Sequence, residues 1–125
     1  MTDIRVLLID DEIFNFDMLQ IAIGKKVNLE YVSSGQEGLS MSVETLPDVI
    51  LLDICMPGLD GYDTCRLLKN TPETRGIPVI LLSGLENEQE IQEGFNAGCD
   101  AYITKPFEVS ELLTKIEVLS SKKGT

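Results

Sequence analysis

The chain contains no histidine. A histidine general base, a histidine nucleophile and a histidine-ligated metal are therefore all excluded. Its three cysteines, Cys55, Cys65 and Cys99, are an odd number without metal-ligand spacing. They read as reduced, mostly buried small side chains, not as a disulfide framework or a zinc site. No apolar run approaches the ~20 residues needed to span a bilayer. Asp3 and Arg5 interrupt any basic-then-apolar leader at the N-terminus. Together these absences predict a cytoplasmic protein without membrane contact. Positive charge is also scarce: 10 Lys and Arg stand against 21 Asp and Glu, a formal net charge of -11. Because a phosphate backbone must be neutralised by cations, this balance argues against nucleic acid as a direct partner.

What is present suits one domain with a single core: 125 residues, 43% hydrophobic and 25% charged. The organising stretch is Val49-Ile50-Leu51-Leu52-Asp53-Ile54-Cys55-Met56-Pro57-Gly58-Leu59-Asp60-Gly61, an apolar run that ends in a carboxylate and a Pro/Gly turn. Such a run predicts a strand buried on both faces, with Asp53 at its carboxyl end. Ile4 to Ile9 predicts a similar strand, delivering Asp10-Asp11-Glu12 to its own carboxyl end. A helix follows from about Ile13 to Ile23, with Phe14, Met18, Leu19 and Ala22 at helical spacing and Gly24 as its stop.

Val27 to Val32 predicts a short strand with Leu29 and Tyr31 alternating. Ser34-Gly35-Gln36-Glu37 matches a capping box, opening a helix that runs to about Glu44. After Pro47, the central strand covers Asp48 to Leu52. A third helix starts at Asp60-Gly61, with Asp60 as N-cap and Cys65, Leu67 and Leu68 facing inward. Residues 70–78 form a loop, and Val79-Ile80-Leu81-Leu82 is a fourth buried strand ending in Ser83-Gly84. The next helix, about Glu88 to Ala97, is weak: Gly94 interrupts it and its apolar anchors are chiefly Ile91 and Phe95. Ala101 to Thr104 is the fifth strand, leading into Lys105-Pro106-Phe107. A last helix spans about Val109 to Ser120, with Val109, Leu112, Leu113, Ile116 and Leu119 at helical intervals. One domain over residues 1–121 is expected, with 122–125 as a tail or the start of a linker.

Five strand–helix alternations call for an α/β fold: a parallel sheet between helical layers with right-handed crossovers. Ligand sites of such sheets lie at the carboxyl ends of the strands. If the first, third, fourth and fifth strands are neighbours, that edge receives Asp10, Asp11, Asp53, Ser83 and Lys105. Crowded carboxylates favour a cation. Hard oxygen donors suit Mg²⁺ or Mn²⁺, with Lys105 as a compact positive charge and Ser83 as a hydroxyl donor. A carboxylate nucleophile, a divalent metal, a lysine and a hydroxyl are equipment for accepting a phosphoryl group.

With these residues in order, the chain resembles the receiver domain of two-component response regulators. The resemblance rests on Asp10-Asp11-Glu12, the run through Asp53 to Gly61, Ser83-Gly84, and Ala97-Gly98-Cys99-Asp100-Ala101-Tyr102 leading into Lys105-Pro106-Phe107. It covers essentially the whole chain. It implies a doubly wound, flavodoxin-like (βα)5 sandwich with strand order 2-1-3-4-5. It also implies that Asp53 is the phosphoacceptor, and that Asp11, Asp53 and the backbone carbonyl of Cys55 bind Mg²⁺, with Asp10 acting largely through water. Lys105 and Ser83 would contact the phosphoryl oxygens, and Ser83 with Tyr102 would form the switch. The Lys105-Pro106 bond is expected to be cis.

The implied partners are a histidine kinase or phosphotransfer protein upstream, and a downstream protein or output domain. Switching would alter the surface around the fourth helix and fifth strand, on a monomer or a phosphorylation-dependent dimer. The family pattern more often has threonine at Ser83, and Cys55 and Leu85 occupy positions that influence phosphoryl lifetime. Acidic Glu86, Glu88, Glu90 and Glu93 stand in the fourth helix region, which lacks the basic residue of one large subfamily's dimer contact. Two other readings remain. An aspartate-nucleophile phosphatase would usually need a second acid where Cys55 stands, and a non-phosphorylated interaction module of the same fold would tend to lack one of the site residues.

Overall fold

The computed structural model of the chain describes residues 4–54, 60–84 and 87–122. Strands β1 (Arg5–Ile9), β2 (Asn28–Val32), β3 (Val49–Asp53), β4 (Val79–Ser83) and β5 (Ala101–Thr104) alternate with helices. These are α1 (Ile13–Ile23), α2 (Gly35–Thr45), α3 (Gly61–Asn70), α4 (Glu88–Asn96) and α5 (Val109–Lys122). All strand pairs are parallel, in the order β2-β1-β3-β4-β5. The expected flavodoxin-like sandwich is the observed one.

Two apolar layers flank the sheet. One joins Val6, Leu8, Val49, Leu51, Ile80, Leu82 and Ile103 to α1 and α5 through Leu19, Ile23, Leu112 and Ile116. The other joins Leu7, Ile9, Ile50, Leu52, Val79 and Leu81 to α3 through Cys65 and Leu68. Successive strand residues alternate between these layers, so β3 and β4 are buried at all five positions and read as unbroken apolar runs. Edge strand β2 is less covered: Leu29 and Tyr31 are partly buried on the first layer, Val32 is partly buried on the second, and Asn28 and Glu30 are exposed.

Local chemistry explains several helix starts. Ser34 Oγ accepts from Glu37 N at 3.1 Å, while the Glu37 carboxylate reaches back to Ser33, a variant of the expected capping box. Asp60 caps α3 by accepting from Asp63 N at 2.9 Å. Asn87 does the same for α4, accepting from Glu90 N at 2.8 Å. Gly24 ends α1 with right-handed helical dihedrals, not in the left-handed conformation that favours glycine.

Three side-chain orientations differ from the sequence expectation. In α3 the inward residues are Gly61, Thr64, Cys65 and Leu68, and Leu67 is 40% exposed. In α1 Leu19 and Ile23 face the core, whereas Phe14 and Met18 are exposed. That helix is apolar around most of its circumference, so its spacing alone selects no single face. In α4 the buried position is Gly94, and Phe95 is 47% exposed. A Cβ on Gly94 would lie 2.8 Å from the Tyr102 ring and 2.9 Å from Leu81 Cδ1. The glycine read as a weakness of α4 is what admits it onto the sheet.

Candidate functional site

Sheet register carries the site residues to one edge. Ile9, Leu52, Leu81 and Tyr102 form one row across β1, β3, β4 and β5. One residue further along, Asp53, Leu82 and Ile103 form the next row, and Ser83 pairs with Thr104 beyond it. Asp10 and Lys105 immediately follow the ends of β1 and β5. By pleat alternation, Asp53 shares a face with Leu82 and Ile103, toward α1 and α5. Ser83 lies on the opposite face, the one that Tyr102 and Ile54 share. Asp53 and Ser83 thus open onto different layers of the same edge.

Asp10, Asp11 and Asp53 each offer a carboxylate oxygen, and these oxygens all lie within 4.8 Å of one another. Asp10 and Asp53 are buried, and Asp11 is exposed. Lys105 Nζ stands 3.5 Å from Asp53 Oδ1. Asp10 is held from two sides: Oδ1 accepts from Glu12 N at 2.9 Å, and Oδ2 accepts from Asn15 Nδ2 at 2.9 Å. These two bonds orient the Asp10 carboxylate and leave a further lone pair on each oxygen. Three convergent carboxylates with no nitrogen or sulfur donor among them match a hard divalent cation such as Mg²⁺ or Mn²⁺. Lys105 offsets one carboxylate of the three, and a divalent cation would balance the other two.

Ser83 is 2% exposed. Its carbonyl accepts from Lys105 N at 2.7 Å, tying the end of β4 to the start of the β5–α5 loop. The Lys105-Pro106 bond is cis, as expected. Gly61 N donates to Ile54 O at 2.9 Å, which docks the start of α3 against the end of β3. The expected metal contact from Cys55 lies outside the described residues, as does the expected influence of Leu85.

Asn15 escaped the sequence reading, although an Asn in the first turn of a helix five residues after a carboxylate is a usable signal. Tyr62 escaped it as well. Its hydroxyl donates to Glu90 Oε2 at 2.8 Å, with the Glu90 carbonyl 3.1 Å away. Nothing in the local sequence links these two residues, which are 28 positions apart.

The sequence profile described as "Response regulator receiver domain" matches residues 6–117. The response regulator PleD of Caulobacter vibrioides is 37% identical over 124 residues, covering 95% of this chain and 26% of PleD. The solved receiver domain of a signal transduction histidine kinase from Syntrophus aciditrophicus is 34% identical, with a TM-score of 0.87 over 96% of this chain and 92% of that one. The receiver domain of the sensor histidine kinase PA1611 from Pseudomonas aeruginosa shares the fold at 23% identity and a TM-score of 0.88, covering 97% of this chain and 100% of that chain. Its structure has a magnesium ion coordinated in the active site cleft. The chain spans less than half the length of the curated relatives it matches. A profile match over nearly the whole chain, on a sheet of this order, places the chain in the response regulator receiver domain family of two-component signalling.

Proposed function

We propose that this receiver domain accepts a phosphoryl group on Asp53 from the phosphohistidine of a histidine kinase or phosphotransfer protein. The observation that carries this reading is the convergence of the Asp10, Asp11 and Asp53 oxygens within 4.8 Å, with Lys105 3.5 Å from Asp53. In the transfer, an Asp53 carboxylate oxygen forms the new O–P bond while the P–N bond to the donor imidazole breaks, and the imidazole leaves with its electron pair. Lys105 moves from Asp53 toward the phosphoryl oxygens, and the Ser83 hydroxyl donates to one of them. Asp11 and Asp53, with Asp10 behind them and the Cys55 carbonyl as the further expected ligand, would hold a divalent cation that would supply charge neutralisation.

Switching then follows the face that Ser83 shares with Tyr102. Phosphorylation adds charge and acceptor oxygens at the edge. Ser83 is drawn toward them, and Tyr102 and α4 adjust. The surface around α4 and β5 is the one read by a downstream protein or output domain, in a monomer or a phosphorylation-dependent dimer. The domain is a signalling unit over residues 1–121, with 122–125 a tail or the start of a linker, and not a phosphatase, since Cys55 stands where that chemistry places a second acid. Family membership and reduced cysteines support a cytoplasmic setting, and the net charge of -11 disfavours direct contact with nucleic acid. Among the described residues, no helix is long and apolar enough to cross a membrane.

Incubation with Mg²⁺ and acetyl phosphate should add the mass of one phosphoryl group to the intact protein. Asp53→Asn should abolish the adduct. A wild-type protein that stays unmodified under these conditions overturns the reading.

A further inference from the structure

The face that Ser83 shares with Tyr102 is the first proposed route from Asp53 toward α4. A second route runs through α3. Gly61 opens α3 directly against the acceptor strand, where an added Cβ would lie 2.5 Å from both Asp53 O and Ile54 Cα. The next residue, Tyr62, is half-buried on the second apolar layer. Its hydroxyl leaves that layer to reach the Glu90 carboxylate at 2.8 Å and the Glu90 carbonyl at 3.1 Å, on the first turn of α4. Burial, the Glu90 carboxylate and a hydrogen bond with Tyr102 all push the Tyr62 phenol above its ordinary pKa, so the proton stays in place. Tyr102 in turn lies against Gly94, one turn further along α4. A second α3–α4 link, the Arg66–Glu93 ion pair, sits one turn on in each helix.

We infer that Tyr62 is a coupling residue: its hydroxyl ties α4 and Tyr102 to the helix that begins at the phosphoacceptor strand. A displacement around Asp53 therefore reaches α4 through α3 as well as through Ser83. The inference rests on the receiver reading above. It differs from plain packing in a testable way, because Tyr62→Phe keeps the ring and removes only the tie.

The test is peptide-resolved hydrogen exchange on the full chain, with and without Mg²⁺ and beryllofluoride, a phosphoryl mimic that adds to a carboxylate. In wild type, exchange should change at residues 81–84 and 104–106 and also in residues 88–96. In Tyr62→Phe, residues 88–96 should exchange about 3- to 10-fold faster without additions, the effect of one lost hydrogen bond. The response at 81–84 and 104–106 should persist, while that of 88–96 should fall to less than half of wild type. Glu90→Gln retains a side-chain acceptor oxygen and should behave as wild type, whereas Glu90→Ala, which leaves only the backbone carbonyl at 3.1 Å, should fall between wild type and Tyr62→Phe. If 88–96 in Tyr62→Phe is as protected and as responsive as in wild type, the coupling role is overturned alone. A wild type silent at both regions overturns the receiver reading, and the coupling role with it.

Discussion

At the residue scale, the absence of a side chain at Gly61 sets how close α3 comes to β3. A Cβ there would meet Asp53 O and Ile54 Cα at 2.5 Å, and both are backbone atoms that cannot rotate aside. Gly61→Ala should therefore cost ~1–3 kcal/mol of stability, the usual range for overpacking. It should also slow phosphorylation by acetyl phosphate. Urea unfolding and intact mass would measure the two effects, and an unchanged midpoint would refute the first. Cys65 and Cys99 are governed by burial instead. It pushes the Cys65 thiol up to about 11 and Cys99 to about 12, from an ordinary value of 9.0. Both should escape alkylation in the native protein at pH 8 and react once urea unfolds it, as peptide mapping would show. Between the ordinary value and these raised values, the folded chain keeps thiol protons that the unfolded chain releases. Their contribution is therefore complete below pH 9 and is lost as the pH climbs toward 11–12.

At the scale of elements, α3 offers a controlled comparison. Leu67 and Leu68 are adjacent and chemically identical, yet one is 40% exposed and the other fully buried. Leu68→Ala should cost ~2–5 kcal/mol through lost burial and a residual cavity. Leu67→Ala should stay within ~0.5 kcal/mol, as surface changes do. Equal losses in denaturant melts would contradict the helix orientation. The periodicity of α3 was legible, but both leucines are apolar, and local pattern alone does not decide between neighbouring faces. In α4 the same ambiguity ran the other way. Phe95 has the greater apolar area, but only Gly94 lets the helix backbone approach Tyr102 and Leu81. Close approach of two elements is a property of the pair, so neither sequence segment displays it.

At the scale of the molecule, charge dominates. A chain of net charge -11 gathers three carboxylates at one sheet edge. A bound divalent cation should stabilise the whole fold by mass action. At ten times its dissociation constant, the gain is about 1.4 kcal/mol, which is RT ln 11. For a domain of this size that corresponds to a rise of roughly 4–7 °C in Tm. Calorimetry with and without Mg²⁺ measures it directly. Asp11→Asn, a change at the exposed member of the cluster, should lose most of the rise while keeping the fold. A full rise in that variant would remove Asp11 from the metal site.

The sequence alone determined the order of elements, because buried strands and amphipathic helices carry local periods that survive without tertiary information. It also determined the candidates Asp10, Asp11, Asp53, Ser83 and Lys105, since each stands where an apolar run breaks at the end of a strand. Tertiary structure decided what those residues do to one another. Strand register brought the three carboxylates within 4.8 Å and set Asp53 and Ser83 on opposite faces of the sheet. Packing chose which side of α1, α3 and α4 turned inward. The Tyr62–Glu90 contact joins residues 28 positions apart. Such a pairing depends on how two helices are placed on one sheet, and no local period in the chain encodes that placement.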